Sequence, residues 1–394
     1  MLLNVQEFGA KGDGTRDDTA AIQKALDTAA ETTSIVDLPA GKYLVEGTLR
    51  FPAGVTLRGV FRAPPTTIGK ADGWQPNGSV LLAVAGKDEP DGHPFILMHE
   101  STTLEGVTVY YPEQTMTNPP IPYPWTVRGV GHNVSIVNCL LVNPYQALDF
   151  GSCRSGRHYV RGLSAQPLYR GIYVDQCYDI GKIEDVHFWP FWGTRHGLKE
   201  FQVENAEAFV IGRTDWEYMF NCFCIFYKVG YHFLKRDPID GNVLLTQCGS
   251  DIGPLAVLAE GSQVNAGISF VNGQIMSGVE VRPGVLGPVK FTACGFWGTG
   301  ETDYHALLEG DNQVTFTGCH FVNWAETNPQ SPAIIARSGG LVVNGCDFRH
   351  ENKAQIRLEK GVESATVFGN RLRGGARIEN HSEGSIEIGL NSTR

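Results

Sequence analysis

The chain has 394 residues, 47 of them glycine and 20 phenylalanine, and only 19% are charged. This composition is typical of turn-rich, packed β-structure rather than of long surface helices. The formal net charge of −10, with no Lys/Arg cluster, argues against a nucleic-acid partner, because phosphates attract basic side chains. No apolar run approaches the roughly 18 residues of a membrane-spanning helix, so we expect no membrane partner.

The N-terminal segment predicts a cap for one end of a β-structure. Asp17 or Asp18 can begin a helix. Five small or apolar residues would share one face of this helix: Ala21, Ile22, Ala25, Leu26 and Ala29. We therefore assign residues 1–45 to a cap region. No basic stretch followed by an apolar run is visible, so no signal peptide is predicted, and the location stays open between the cytoplasm and secretion after removal of a leader.

A second distinctive region lies between Pro64 and Pro119. It is rich in proline, glycine and aspartate. Such residues favour turns, and we interpret residues 64–119 as long loops that leave an early part of the fold. Loops of this length are often functional.

Self-similarity is the strongest pattern in the chain. Apolar residues alternate, and a small or polar residue precedes cysteine, in V-S-I-V-N-C-L-L (Val134–Leu141), V-K-F-T-A-C-G-F (Val289–Phe296), V-T-F-T-G-C-H-F (Val314–Phe321) and L-V-V-N-G-C-D-F (Leu341–Phe348). The period is about 24 residues, which is typical of a solenoid whose backbone hydrogen bonds run between coils. We predict one all-β domain over residues 1–394, a single-stranded right-handed parallel β-helix.

The same period explains the nine cysteines without disulfide or zinc chemistry. Cys294, Cys319 and Cys346 occupy one template position, so they should stack as small core residues in successive coils. The spacing of the 11 histidines indicates no metal site, and no cofactor is expected.

A second apolar strand recurs out of phase with the first, so each coil has at least two strands. The repeat is interrupted after Val186. Residues 198–209 have helical spacing at Leu198, Phe201 and Ala208, and we predict a helical insertion there, beside a groove.

The opening of the chain resembles a known family. N-V-Q-E-F-G-A-K-G-D-G-T-R-D-D-T-A-A-I-Q-K-A-L (Asn4–Leu26) and V-D-L-P-A-G-K-Y-L-V (Val36–Val45) are similar to the pectate-lyase-like domain of polygalacturonase-related glycosidases and phage tailspikes. The resemblance implies a right-handed parallel β-helix, but its members include hydrolases, lyases, epimerases and adhesins. The positions that match the catalytic Asp pair and His-Gly of polygalacturonases read Tyr145-Gln146 and Arg170-Gly171, so that active site is not carried over.

Acids follow the second strand series in successive coils and are the candidate catalytic residues. Asp175 ends one strand, and Asp215 and Glu217 lie in R-T-D-W-E-Y, interpreted as a turn. Coils about 4.8 Å apart would bring such carboxylates to the roughly 5 Å of retaining or the 6.5–9.5 Å of inverting glycosidases, and the sequence leaves both open. The alternative for each acid is a hydrated corner of the solenoid. Four neighbours are candidate substrate-binding residues: Arg213, Trp216, Arg236 and Asp237.

Aromatic residues provide a second set of candidates. The stretch H-F-W-P-F-W-G-T-R-H places Trp189 and Trp192 beside Arg195 and His196. Sugars stack on such rings while polar groups bind their hydroxyls. The alternative is that the tryptophans pack the inserted helix onto the solenoid.

These patterns favour a glycoside hydrolase that cleaves a poly- or oligosaccharide with paired carboxylates. Two alternatives remain. One is a polysaccharide lyase acting on a uronate polymer, with Arg195, Arg213 or Arg236 near the abstracted proton. The other is a non-catalytic, tailspike-like glycan-binding adhesin. The expected partner is a glycan, and the protein is expected to be a monomer or a homo-oligomer, with a trimer as one option.

Overall fold

The computed structural model describes residues 2–32, 35–67, 74–299 and 302–393. The chain forms two compact units, Met1–Phe209, called the N unit, and Val210–Arg394, called the C unit. Within the described residues, no helix has the length and apolar character needed to cross a membrane.

The N unit contains two α-helices, α1 (Thr19–Thr32) and α2 (Leu198–Asn205), and a 3₁₀ turn at Val5–Phe8. Its strands are β1 (Leu2–Asn4), β2 (Asp13–Asp17), β3 (Ile35–Asp37), β4 (Gly41–Val45), β5 (Leu49–Phe51), β6 (Thr56–Arg58), β7 (Ser79–Ala83), β8 (Ile96–Met98), β9 (Thr103–Glu105), β10 (Val107–Tyr110), β11 (Trp125–Gly129), β12 (Gly131–His132), β13 (Ser135–Val137), β14 (Leu140–Leu141), β15 (Gln146–Phe150), β16 (Ser155–Gly156), β17 (Tyr159–Ala165), β18 (Arg170–Val174), β19 (Cys177–Phe188) and β20 (Glu207–Ile211), which reaches into the C unit.

The C unit continues with short strands. They are β21 (Thr214–Phe220), β22 (Phe223–Ile225), β23 (Val229–Phe233), β24 (Val243–Thr246), β25 (Gly249–Asp251), β26 (Leu255–Ala259), β27 (Ile268–Val271), β28 (Gln274–Ile275), β29 (Gly278–Val281), β30 (Val289–Thr292), β31 (Gly295–Trp297), β32 (Ala306–Leu308), β33 (Gln313–Thr317), β34 (His320–Val322), β35 (Ile334–Asn344), β36 (Asp347–Phe348), β37 (Ile356–Phe368), β38 (Arg371–Leu372), β39 (Ile378–Asn380) and β40 (Ser385–Gly389).

Parallel pairing between equivalent strands of successive coils builds each unit. In the N unit, one column of the first strand series is buried throughout: Val36, Leu57, Leu104, Ile136, Val160 and Ile183. In the C unit, the equivalent column contains Phe270, Phe291 and Phe316, whose rings stack at 5.2 Å. Residues about one period apart in the sequence are in-register neighbours in these columns. This arrangement confirms the predicted parallel β-helix in each unit.

The predicted cap helix is present as α1. Its buried face contains Ile22, Ala25, Leu26 and Ala29, and it packs against β1, β3 and β5. The Asp17 carboxylate accepts a hydrogen bond from the Thr19 backbone N–H at 2.9 Å. The buried Asp18 carboxylate instead binds the backbone N–H groups of Lys11 and Gly12 at 2.7 and 2.9 Å, which ties the preceding turn to the helix.

Two predicted regions differ in detail from the structure. Residues 64–119 contain four strands, β7 to β10, among their loops; strands of three to five residues between prolines and glycines show too little alternation to be recognised. The helix of the 198–209 insertion ends at Asn205, and Ala208 lies in β20. The run Ala208 to Ile211 is buried throughout, and such a short apolar run fits helix and strand equally well.

The nine cysteines all lie among the described residues and form no disulfide, and all except Cys153 are buried. Burial raises the pKa of the Cys139 and Cys224 thiols to about 12. Cys294, Cys319 and Cys346 lie in successive coils, as predicted: the His320 N–H donates to the Cys294 carbonyl and the Asp347 N–H to that of Cys319.

We therefore expect an alkylating reagent at pH 8 to modify one thiol of the folded protein, Cys153, and all nine after denaturation. Intact-mass spectrometry counts the adducts. The Cys153→Ser variant should show none while folded, and fast labelling of further thiols in it would contradict the stacked core.

Candidate functional site

Three polar side chains stack on the outer face of the second strand series in the N unit. Arg128 of β11 pairs in register with Asp149 of β15, and Asp149 pairs with Tyr173 of β18. Their strand neighbours Val127, Leu148 and Ile172 are buried in the core. Alternation along each strand therefore directs the three polar residues outward, about 4.8 Å apart from coil to coil.

Asp149 is the fixed centre of this row. Its side chain is fully buried, and its carboxylate binds the Arg128 guanidinium at 2.5 Å. The backbone N–H groups of Gly151 and Ser152 donate to the same carboxylate at 2.9 and 2.8 Å. With these contacts, Asp149 holds the part-exposed Arg128 guanidinium on the outer face.

Tyr173 and Asp175 form the second polar pair. The Tyr173 hydroxyl donates to the Asp175 carboxylate at 3.0 Å, and the Gln176 backbone N–H donates to its other oxygen at 2.9 Å. The Tyr173 ring lies against Gly151, where a Cβ atom would come within 2.5 Å of the ring. Glycine at this position therefore allows the ring to cross from one coil to the next.

An aromatic side chain completes the arrangement. The Trp125 ring stacks on that of Tyr173, with centroids 6.2 Å apart and planes at 21°. We call Trp125, Arg128, Asp149, Tyr173 and Asp175 the Tyr173 cluster. It combines a stacking ring, a guanidinium, a phenol and a carboxylate that accepts hydrogen bonds. These are the groups that bind sugar faces and hydroxyls and that accept protons.

A second aromatic group lies at the beginning of the same strands. Tyr145 and Tyr169 stack at 5.0 Å, and the Arg170 guanidinium lies 5.0 Å from the Tyr169 ring centroid. Tyr145 and Arg170 are at the positions where polygalacturonases carry acid and histidine. The structure thus has aromatic rings and a guanidinium at those places.

The ordered loops between β7 and β11 cover the beginning of β15. The Gln146 side chain donates to the carbonyls of Pro90 and Tyr123 at 2.9 and 3.2 Å. Gln114 closes residues 111–124 on themselves, because its side chain bonds both the N–H and the carbonyl of Ile121. These contacts place the loops beside Trp125.

The predicted aromatic candidates lie elsewhere in the N unit. Trp192 is buried in an apolar cluster with Leu198 of α2, and Trp189 packs partly exposed against the same cluster. Arg195 and His196 are exposed in the segment before α2. Trp192 therefore contributes to the packing of the helix, the alternative that the sequence left open.

In the C unit, the segment interpreted as an acidic turn is strand β21. Alternation along this strand buries Glu217 fully, with the Thr214 hydroxyl 3.5 Å from its carboxylate, and exposes Trp216. Asp215 is exposed and pairs with Arg213 at 2.6 Å. The structure therefore places the two acids of this motif in different environments, Glu217 in the interior and Asp215 at the surface.

Arg236 and Asp237 lie in a loop of the C unit that is organised by Asp240. The buried Asp240 carboxylate accepts from the Arg236 backbone N–H at 2.6 Å and from the Lys235 ammonium at 3.1 Å, while Asp237 is exposed. In the same unit, His232 lies 3.1 Å from Glu260. Sequence reasoning missed Asp240 and Glu260, because neither follows a recognisable motif.

The N unit also has a cavity of about 400 Å³ on another face. It is lined by Arg157, His158, Tyr159, Asp179, Ile180, Lys182 and Glu184. Arg157 pairs with Asp179 at 2.6 Å, and the Tyr159 hydroxyl donates to Glu184 at 3.1 Å. Much of its polar lining is thus paired within the protein.

The sequence did not single out Trp125, Arg128 or Asp149. The signal that could have found the row is its spacing, because Arg128 and Asp149 are 21 residues apart, about one coil. An arginine one coil before an aspartate at the same strand position predicts an ion pair between coils.

The fold and residues 2–141 show which class of protein this chain resembles. The chain folds as a right-handed parallel β-helix, and its predicted resemblance to pectate-lyase-like proteins is confirmed. Residues 2–141 match the family model described as rhamnogalacturonase A/epimerase, pectate lyase-like.

One curated relative and two solved structures show how far the likeness extends. The tail spike protein of Shigella phage Sf6 is 25% identical over 371 residues, which are 87% of this chain and 52% of the phage protein. The A-module of mannuronan C-5 epimerase AlgE6 from Azotobacter vinelandii is 16% identical with a TM-score of 0.52, over 100% of this chain and 99% of that one. The N-terminal fragment of bacteriophage Phi29 gene product 12 has a TM-score of 0.62 at 13% identity, over 98% of this chain and 71% of that one. The chain spans about half of the tail spike protein, and the two structures establish the fold alone.

Proposed function

We propose that this protein is a glycoside hydrolase that binds a poly- or oligosaccharide at the Tyr173 cluster of the N unit. The observation that supports this proposal is the convergence of Arg128 and the hydrogen-bonded pair Tyr173 and Asp175 on one face of three successive coils, with the Tyr173 ring packed on the buried Trp125. The pectate-lyase-like fold includes many proteins that act on carbohydrates, which makes this chemistry the natural interpretation of the cluster.

Each residue of the cluster has a proposed role. Tyr173, whose ring packs on the buried Trp125, stacks on the C–H face of a sugar ring, and Arg128 donates hydrogen bonds to the sugar oxygens. Asp175 is the carboxylate that attacks the anomeric carbon or takes a proton from the attacking water. The glycosidic C–O bond breaks in the same step, and its leaving oxygen takes a proton from solvent water. Asp149 is a positioning residue, since all its recorded contacts hold Arg128 and the turn after β15.

The other predicted acids are assigned by their environments. Asp215 is exposed on the C unit and is not part of the proposed N-unit site, so its catalytic role stays a prediction. Glu217 is fully buried, and we assign it a structural role. Amide variants of Asp149, Asp175 and Asp215 therefore distinguish the carboxylates that turnover requires from those that only hold the fold.

A second candidate is a lyase or epimerase acting on a uronate polymer. The arginine in the cluster favours it, because Arg128 lies on the same face as Tyr173 and a guanidinium can bind a sugar carboxylate in a bidentate manner. The likeness of the fold to a mannuronan C-5 epimerase module also makes uronates reasonable test substrates. In this alternative, Asp175 and Tyr173 would move the proton beside the sugar carboxylate.

Incubation with a panel of neutral and uronate polysaccharides separates these functions. We expect new reducing ends without absorbance at ultraviolet wavelengths, the result of hydrolysis. An unsaturated, absorbing product identifies a lyase, and a changed uronate composition without cleavage identifies an epimerase; either result contradicts the hydrolase proposal. Binding without any chemical change would show that the protein is an adhesin.

A further inference from the structure

Three aromatic side chains are exposed in a line on the C unit. Trp216, Tyr218 and Phe220 alternate along β21 and are 43%, 38% and 45% exposed. Residues two apart in a strand lie about 6.6 Å apart, so the line is about 13 Å long. We call these three residues the β21 stripe. Exposed aromatic rings in such a contiguous group mark a binding surface.

The strands that follow β21 in register carry hydroxyl groups on the same face. Tyr218 pairs with Leu244, and Leu244 pairs with Ser269. The next column contains Phe220, Thr246, Val271, Thr292 and Thr317. Apart from the apolar Leu244 and Val271 and the cation Lys290, the residues that follow the stripe in the two columns therefore carry hydroxyl groups, which donate and accept hydrogen bonds.

The charge of this face is also informative. In these two columns the positions from β21 to β33 contain one charged residue, Lys290, which pairs in register with Ser269 and Thr315, and no carboxylate. The whole chain has a formal charge of −10. An acidic or neutral polymer therefore meets no acidic side chain in these columns of the face.

We propose that the β21 stripe is an ancillary glycan-binding surface that holds a segment of the same polysaccharide. The inference rests on the proposed function for the identity of the ligand. Aromatic rings in a row, followed along the same columns by Thr246, Ser269 and Thr292, fit a chain of sugar rings, whose C–H faces stack while their hydroxyls exchange hydrogen bonds. In a dry contact with a second copy of the protein, these threonine and serine hydroxyls would instead need hydrogen-bond partners across the interface.

Affinity electrophoresis tests this proposal, in gels that contain the polysaccharide identified by the glycan panel. Replacement of Trp216, Tyr218 and Phe220 together with threonine, a residue suited to exposed strands, should weaken binding about 10-fold or more. The matched control is Phe368→Thr, an aromatic residue of the same strand series with 43% exposure that lies in β37, far along the series. Its binding should be unchanged.

Two further measurements complete the test. The Tyr218→Thr/Phe220→Thr variant should retain turnover of short oligosaccharides, so that failure of the stripe is distinguishable from failure of the proposed catalytic site. Unchanged gel retardation of the triple variant would overturn the proposal. So would a change of oligomeric state in sedimentation without a change in glycan affinity, because the stripe would then be a contact between copies.

Discussion

The Asp175→Asn variant should lose about 10²- to 10⁴-fold in kcat on the substrate that the glycan panel identifies. Asparagine has nearly the same shape and keeps an oxygen to accept from the Tyr173 hydroxyl, but it cannot take a proton or form a glycosyl ester. Since Asp175 is 5% exposed and receives hydrogen bonds from Tyr173 and Gln176, the change should leave KM nearly unaltered. Steady-state kinetics measures both constants.

Two other variants control this experiment. Asp179→Asn changes an exposed carboxylate of the same unit and should leave kcat unchanged. Tyr173→Phe removes the hydroxyl that orients Asp175 and keeps the ring, so it should lower kcat less than Asp175→Asn does and retain the affinity due to stacking. Full turnover by Asp175→Asn would eliminate Asp175 as the catalytic carboxylate and with it the N-unit site.

The fold was predictable because its core places few requirements on the sequence. A buried column such as Val36, Leu57 and Leu104 needs only an apolar residue at each period, and one cysteine or phenylalanine per coil suffices to show the repeat. The end of α2 was not predictable. Alanine and phenylalanine at 208 and 209 fit either a helix or a strand, and only the neighbouring coil decides between them.

The site was less predictable, since side-chain direction depends on where each strand begins. The acidic motif around Glu217 was interpreted as a turn, but β21 begins at Thr214, so alternation sends Glu217 inward and Trp216 outward. Asp149 was not predictable for the opposite reason. It lies in a strand that is buried on both faces, and only the structure shows that its carboxylate contacts Arg128 and the turn after β15.

The largest stability effect is expected for Arg128→Met, which should lower the free energy of unfolding of the N unit by about 3 kcal/mol. The variant keeps the aliphatic length of the side chain but leaves the fully buried Asp149 carboxylate without its cation. The loss should lie at the lower end of the range for broken buried pairs, because the Gly151 and Ser152 N–H groups still bind Asp149. Urea-induced unfolding, followed by fluorescence, measures the change.

The matched control for Arg128→Met is Arg58→Met, which breaks the ion pair of Arg58 with Asp37 in the same unit. That pair is partly exposed on both sides, 42% and 28%, and should contribute no more than about 1 kcal/mol. The Arg128→Met/Asp149→Asn double variant should be more stable than Arg128→Met alone, because it removes the buried charge that the single variant leaves unpaired. Equal stability of the two variants, or a loss below about 1 kcal/mol for Arg128→Met, would mean that solvent reaches Asp149 in solution. The Arg128 guanidinium would then not be held rigidly, and the Tyr173 cluster would lack the preorganisation that substrate binding at this face requires.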